Sequence, residues 1–110
     1  MAGIFDGLKV IDFTNIGAGP GCTTILADFG AEVIKIEQPL VGDNSRHFPP
    51  FIRGQALSFF WMNRGKKSVT LALDDPINQE ILYMLISESD VVVESFKPES
   101  MQKFNLGYEL

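Results

Sequence analysis

The chain is poor in the residues that build metal centres and disulfides. It has 110 residues with one cysteine, Cys22, and one histidine, His47. A single cysteine excludes an internal disulfide. One cysteine and one histidine exclude a zinc site of the Cys/His type from a single chain, so no metal is expected. This thiol usage predicts a reducing, cytoplasmic setting. Long apolar runs are also lacking: Ile81–Ile86 is far short of a bilayer span, so no membrane association is expected. The opening MAGIFDGLKV has no cationic stretch followed by an apolar one, and Ala2 lacks the myristoylation pattern. Basic excess is lacking as well. The net charge is −5, which argues against nucleic acid as a partner.

What is present is an ordinary globular composition, with 45% apolar and 21% charged residues, enough for one domain over 1–110. Short β-rich runs alternate with helical periods, which predicts an α/β fold with a mainly parallel sheet. Leu8–Asp12, Glu32–Glu37, Ser68–Leu71 and Val91–Glu94 read as strands, the last as a buried one. A turn over Gly17–Gly21 should precede a helix from about Gly21 to Phe29, with Ile25, Leu26 and Phe29 on one face. Gly30 suits a helix end that needs positive φ. Asp75 and Pro76 should cap and open a helix to about Ser89. Ala56–Asn63 and Pro98–Phe104 read as shorter helices. Residues 38–56 read as a long loop, a length that usually marks function.

Two features point to a phosphorylated ligand. A strand, then Gly17-Ala-Gly-Pro-Gly21, then a helix is the setting in which a glycine-rich turn holds phosphate. Glu37, 20 residues past Gly17, imitates the acid that holds an NAD ribose. Against an NAD-type module, the third glycine of the motif is replaced by Cys22, and Pro20 has no N–H to offer. A turn that merely lets helix and strand pack closely is the plainer reading. The second feature is the absence of acids between Asp43 and Asp74, where Arg46, Arg53, Arg64, Lys66 and Lys67 lie. That asymmetry predicts a local anion site, or else a solvated loop of scattered charge. Phe48, Phe51, Phe59, Phe60 and Trp61 are interleaved, as a stacking surface or as core.

An ordered series of motifs resembles the family III CoA-transferases, the CaiB/BaiF type of the formyl-CoA and carnitine CoA-transferases. It runs Gly7–Thr14, Ala18-Gly-Pro20, Leu26–Glu37, Gly42-Asp-Asn-Ser-Arg46, Asn63–Leu71, Asp90–Pro98 and Leu106-Gly-Tyr-Glu109. The resemblance covers nearly all of the chain. It implies a Rossmann-like large domain, of which this is the N-terminal part, and a homodimer of interlocked chains at full length. It implies acyl-CoA and carboxylic acid substrates, with CoA moved between them.

By the same resemblance Gly17 and Ala18 lie beside the thioester, and Gln38 and Leu71 reach the nucleotide. Ser95, Phe96 and Lys97 approach the pantetheine or diphosphate, and Lys103 approaches the phosphates. Gly17 stands where the formyl-CoA branch has glutamine, Gln38 where arginine is frequent, and Asp74 where lysine is frequent. The family's nucleophile is an aspartate beyond residue 110, so no residue here is expected to be catalytic. A truncated, CoA-binding part that does not transfer CoA is the expectation. An NAD-type module and a non-catalytic remnant that pairs with a full-length homologue are the alternatives.

Overall fold

A computed structural model describes residues 3–108. Its centre is a parallel four-stranded sheet: β1 (Lys9–Asp12), β2 (Glu32–Glu37), β5 (Lys67–Thr70) and β6 (Val91–Val93), in the order β5-β2-β1-β6. Between β2 and β5 a two-stranded antiparallel hairpin forms from β3 (Phe51–Ile52) and β4 (Gln55–Ala56). The helices are α1 (Ala18–Asp28), α2 (Leu57–Asn63), α3 (Pro76–Ser87) and α4 (Ser100–Lys103). The expected α/β class with a parallel sheet is therefore what forms.

Alternation along the strands sorts the core into two layers. Val10 and Val33 face Leu26 and Ala27 of α1. Ile11 and Ile36 face Leu82 of α3, with Leu71, Phe96 and Phe104 completing that side. Strands buried on both faces need apolar residues at successive positions, and Val10-Ile11 and Val33-Ile34 supply them.

Several boundaries differ from the sequence reading. Helix α1 starts at Ala18, so Gly19, Pro20 and Gly21 lie in its first turn rather than in a preceding loop. Its buried residues are Pro20, Thr23 and Thr24, while Ile25 and Phe29 are exposed. The reason is polar: Thr23 donates to Asp12 Oδ2 at 2.6 Å, and Thr24 donates to the Met62 carbonyl of α2. These bonds turn the hydroxyl face inward. Segment 38–56 is not a structureless loop, because it holds a 3-10 turn (Asn44–His47) and the hairpin. Strand β6 is half-exposed rather than buried, since β1 is its one partner strand. Helix α4 begins at Ser100, two residues after Pro98, because Glu99 takes a left-handed conformation with φ 69°. Gly30 has φ 109°, and Asp75 caps α3 by accepting from the Ile77 and Asn78 amides, both as expected. The Leu106–Glu109 motif extends past the described residues.

Candidate functional site

In an open parallel sheet the strand ends diverge where the winding reverses, and ligands bind in that crevice. Here β1 leads through α1 to β2 on one side, while β6 pairs with the other side of β1. A cavity of about 510 Å³ opens at the carboxyl ends of the strands. The segments after β1, β2, β5 and β6 all contribute walls, and α4 closes one end. Its floor is apolar, built from Ile36, Leu71, Leu73, Phe96 and Phe104. Phe96 is fixed between Phe13 and Phe104, with ring centroids 6.4 and 6.2 Å away. A cavity of this size, with an apolar floor and polar groups in its walls, has a form suited to a small molecule.

The polar groups of the walls are bound to one another. Lys35 Nζ, fully buried at the end of β2, lies 2.7 Å from Asp43 Oδ2 and donates to the Thr14 carbonyl at 3.0 Å. Asp43 Oδ2 has no partner besides Lys35 Nζ. Asp43 Oδ1 accepts from the Ser45 amide (2.8 Å), the Ser45 hydroxyl (2.7 Å) and the Ile16 amide (3.2 Å). Burial pushes the Asp43 carboxyl up, but the bonds from Lys35 and Ser45 outweigh it, and the net direction is down. Glu37 is held by Arg46 through two bonds of 2.7 Å, by the Asp43 amide at 2.7 Å and by the Ser68 hydroxyl. Burial again opposes ionisation, yet Arg46 and Ser68 bring the Glu37 pKa down to about 2. The Arg46 guanidinium also lies 3.7 Å above the Phe59 ring centroid, a favourable cation–π arrangement.

Of the residues singled out from the sequence, Gln38, Leu71, Phe96 and Lys97 line this one cavity. Gln38 donates to the Gly42 carbonyl at 3.4 Å, which turns its amide along the β2 loop. Gly17, Ala18, Ser95 and Lys103 are not in the lining. Gly17 caps α1 and Ala18 opens it, Ser95 is exposed beside Phe96, and Lys103 is exposed on α4. Lys35, Asp43 and Thr14 were missed. The one available signal was Lys35 itself, a lone charge inside the β-branched run Val33-Ile-Lys-Ile36.

Of the five cations read from residues 44–73 as an anion site or a solvated loop, four meet carboxylates, while Arg53 is exposed with no carboxylate partner among the described residues. Arg46 pairs with Glu37, Arg64 with Asp28, Lys66 with Asp12 and Lys67 with Glu32. The acids come from earlier segments, which the local charge asymmetry could not show. Within the cavity lining, Lys97 is the cation without a carboxylate partner among the described residues. Gly19 accounts for the glycine run: a Cβ there would sit 2.4 Å from Thr14 Cβ, so only glycine lets α1 approach the β1 loop. Among the described residues no group of three or more His, Cys, Asp or Glu is placed to hold a metal, and no helix is long and apolar enough to cross a membrane.

The fold defines a doubly wound α/β protein with a cavity at its switch point. The sequence model of CoA-transferase family III matches residues 5–110, and the chain belongs to that family. It is 44% identical to an acetyl-CoA:oxalate CoA-transferase of Acetobacter aceti, over 97% of this chain and 28% of the relative. It is 40% identical to the human succinyl-CoA:glutarate CoA-transferase, over 94% of this chain and 24% of the relative. A CAIB/BAIF family protein of Brucella suis superposes with a TM-score of 0.92 at 38% identity, over 99% of this chain and 30% of that one. A hypothetical protein of Mycobacterium tuberculosis does so with a TM-score of 0.89 at 42% identity, over 98% and 30%. The chain thus spans between 24% and 28% of the length of these curated relatives.

Proposed function

We propose that residues 1–110 are the CoA-binding N-terminal portion of an enzyme that moves CoA from an acyl-CoA to a carboxylic acid. The cavity at the strand ends supports this reading most directly. Its apolar floor suits an adenine ring or the pantetheine chain, and Lys97 at its rim suits a phosphate oxygen. The other charges of the lining fit phosphate less well: Lys35 is neutralised by Asp43, and Asp74 adds a negative charge. The proposed ligand therefore enters base or pantetheine first, with its phosphates toward Lys97, Lys103 and solvent. Gly17, Ala18 and Ser95 take the thioester-side roles that the resemblance gives them.

Covalent catalysis through a carboxylate would split the transfer into easier steps. Asp12 and Asp43 are unsuited to that task, because their oxygens are committed to buried lysines and hydroxyls. Asp28 pairs with Arg64, Asp75 caps α3, and Asp90 accepts from the Lys9 amide. By the resemblance, the nucleophile is an aspartate outside residues 1–110. The exposed Trp61, Ile77 and Met84 support a reading in which further chain or a second copy covers these faces, as in a homodimer. The lone Cys22 supports a cytoplasmic location.

Calorimetric titration of the protein with CoA, acetyl-CoA and NAD tests the reading. The two thioester-related ligands should bind and NAD should not, and Lys97→Ala should weaken CoA by about tenfold, one charge-assisted contact. Binding of NAD in preference to CoA would favour the nucleotide module instead. Absence of any CoA binding would remove the proposal.

A further inference from the structure

Ile16 has φ 72°. A β-branched residue in the left-handed region is an outlier that persists only when its surroundings hold it there. The holder is identifiable. Asp43 Oδ1 accepts the Ile16 amide at 3.2 Å from 27 positions away. Asp43 is in turn fixed by the Ser45 amide and hydroxyl and by buried Lys35. Lys35 also donates to the Thr14 carbonyl, and Asn15 accepts the Asn44 amide at 2.9 Å. The segments after β1 and β2 are thereby bolted together. Thr14, Asn15, Gly42 and Asp43 are walls of the cavity, so the bolt sets its width on that side.

We infer that Asp43 is a positioning residue: with its charge balanced by Lys35, it holds Ile16 left-handed and so fixes the shape of the ligand cavity between the β1 and β2 segments. Neither residue needs to touch the ligand for this. A structural ion pair would stabilise the fold without acting through Ile16, whereas this device acts through one acceptor oxygen on one strained residue. What occupies the cavity rests on the CoA reading above; the hold on Ile16 does not.

Three variants separate these roles. Lys35→Met with Asp43→Asn removes both charges and keeps an acceptor at Oδ1. Lys35→Met with Asp43→Ala removes the acceptor too. The third adds Ile16→Gly to the second, because glycine takes positive φ unaided. CoA affinity is measured well below each melting temperature. The Ala form should bind CoA about tenfold more weakly than the Asn form, since both lack the Lys35 bond to the Thr14 carbonyl and differ only in the acceptor. Ile16→Gly should recover most of that loss. Equal affinity of the Ala and Asn forms, or no recovery with glycine, overturns the inference. Amide hydrogen exchange at Ile16 gives a readout without CoA: slow in the natural and Asn forms, fast in the Ala form. If the natural protein fails to bind CoA, the function reading falls, and Ile16 exchange alone decides here. Unchanged slow exchange in the Ala form then refutes the positioning role.

Discussion

Lys66 Nζ lies 3.0 Å from Asp12 Oδ2, and both side chains are sealed from solvent. The ammonium has no donor left over, because it also reaches the Pro20 carbonyl at 3.0 Å and Asn63 Oδ1 at 2.8 Å. One atom thus joins the end of β1, the first turn of α1 and the last residue of α2. Burial pushes the Lys66 pKa down against the pull of Asp12. Asp12 is also pushed up by burial, but hydrogen bonds from Thr14 and Thr23 and the charges of Lys35 and Lys66 bring it down on balance. Removing the lysine leaves the Asp12 carboxylate buried without its 3.0 Å counter-charge.

Lys66→Met should therefore destabilise the fold by about 3–5 kcal/mol, the cost of stranding a buried charge. Adding Asp12→Asn should return a large part of it, since the stranded charge is then gone. Urea unfolding of the single and double variants checks this. A single variant within error of the natural protein would show that water reaches Asp12.

Stability should fall on acidification, and the sign follows from Glu37. Its folded pKa of about 2 lies below the ordinary 4.5, so the folded state binds fewer protons. That contribution is complete above the unfolded value and disappears as pH falls through the folded one. With some screening through half-exposed Arg46, it amounts to about 2–3 kcal/mol between roughly pH 5 and pH 2. Asp12 and Asp43 are lowered too and act with the same sign. The urea midpoint should drop over this window, and Glu37→Gln should flatten the drop while lowering stability at neutral pH.

Gly19→Ala tests the close approach of α1 to the β1 loop. The new methyl would meet Thr14 Cβ and Cγ2 at 2.4 and 2.5 Å. Both atoms belong to a buried side chain held by Asp12, so the helix must shift. Overpacking of this kind costs about 1–3 kcal/mol. The melting temperature should fall by several degrees, although alanine favours helix more than glycine does. Gly17→Ala, where an added Cβ meets nothing within 4 Å, is the control and should cost only about 0.5 kcal/mol for the poorer helix cap.

Asp75→Ala should cost about 1 kcal/mol by removing the cap of α3. The lost bonds are those from the Ile77 amide at 2.8 Å and the Asn78 amide at 3.2 Å. Asp74→Ala next to it should leave stability unchanged and, by removing a negative charge from the cavity rim, strengthen CoA binding. Thermal melts and titration of the two variants separate a capping carboxylate from its exposed neighbour.

The sequence by itself determined the four strands of the main sheet, the α/β class and the cap of α3. Each follows from short-range chemistry: β-branched runs, helical spacing and an Asp-Pro start are readable within a few residues. The motif order pointed to the family, and Gln38, Leu71, Phe96 and Lys97 fell in one cavity because each lies in or near a segment that follows a strand. Only the tertiary structure decided where the charges went. Arg46, Arg64, Lys66 and Lys67 read, with Arg53, as an anion site or a solvated loop, and only the fold brought Glu37, Asp28, Asp12 and Glu32 beside the first four. It alone turned the hydroxyls of α1 inward and left Ile25 and Phe29 outside. It alone paired Lys35 with Asp43 and set that pair against Ile16. The physical reason is that a buried charge must find its partner in space, and the strand order that brings loops together is not written in the spacing of any one segment.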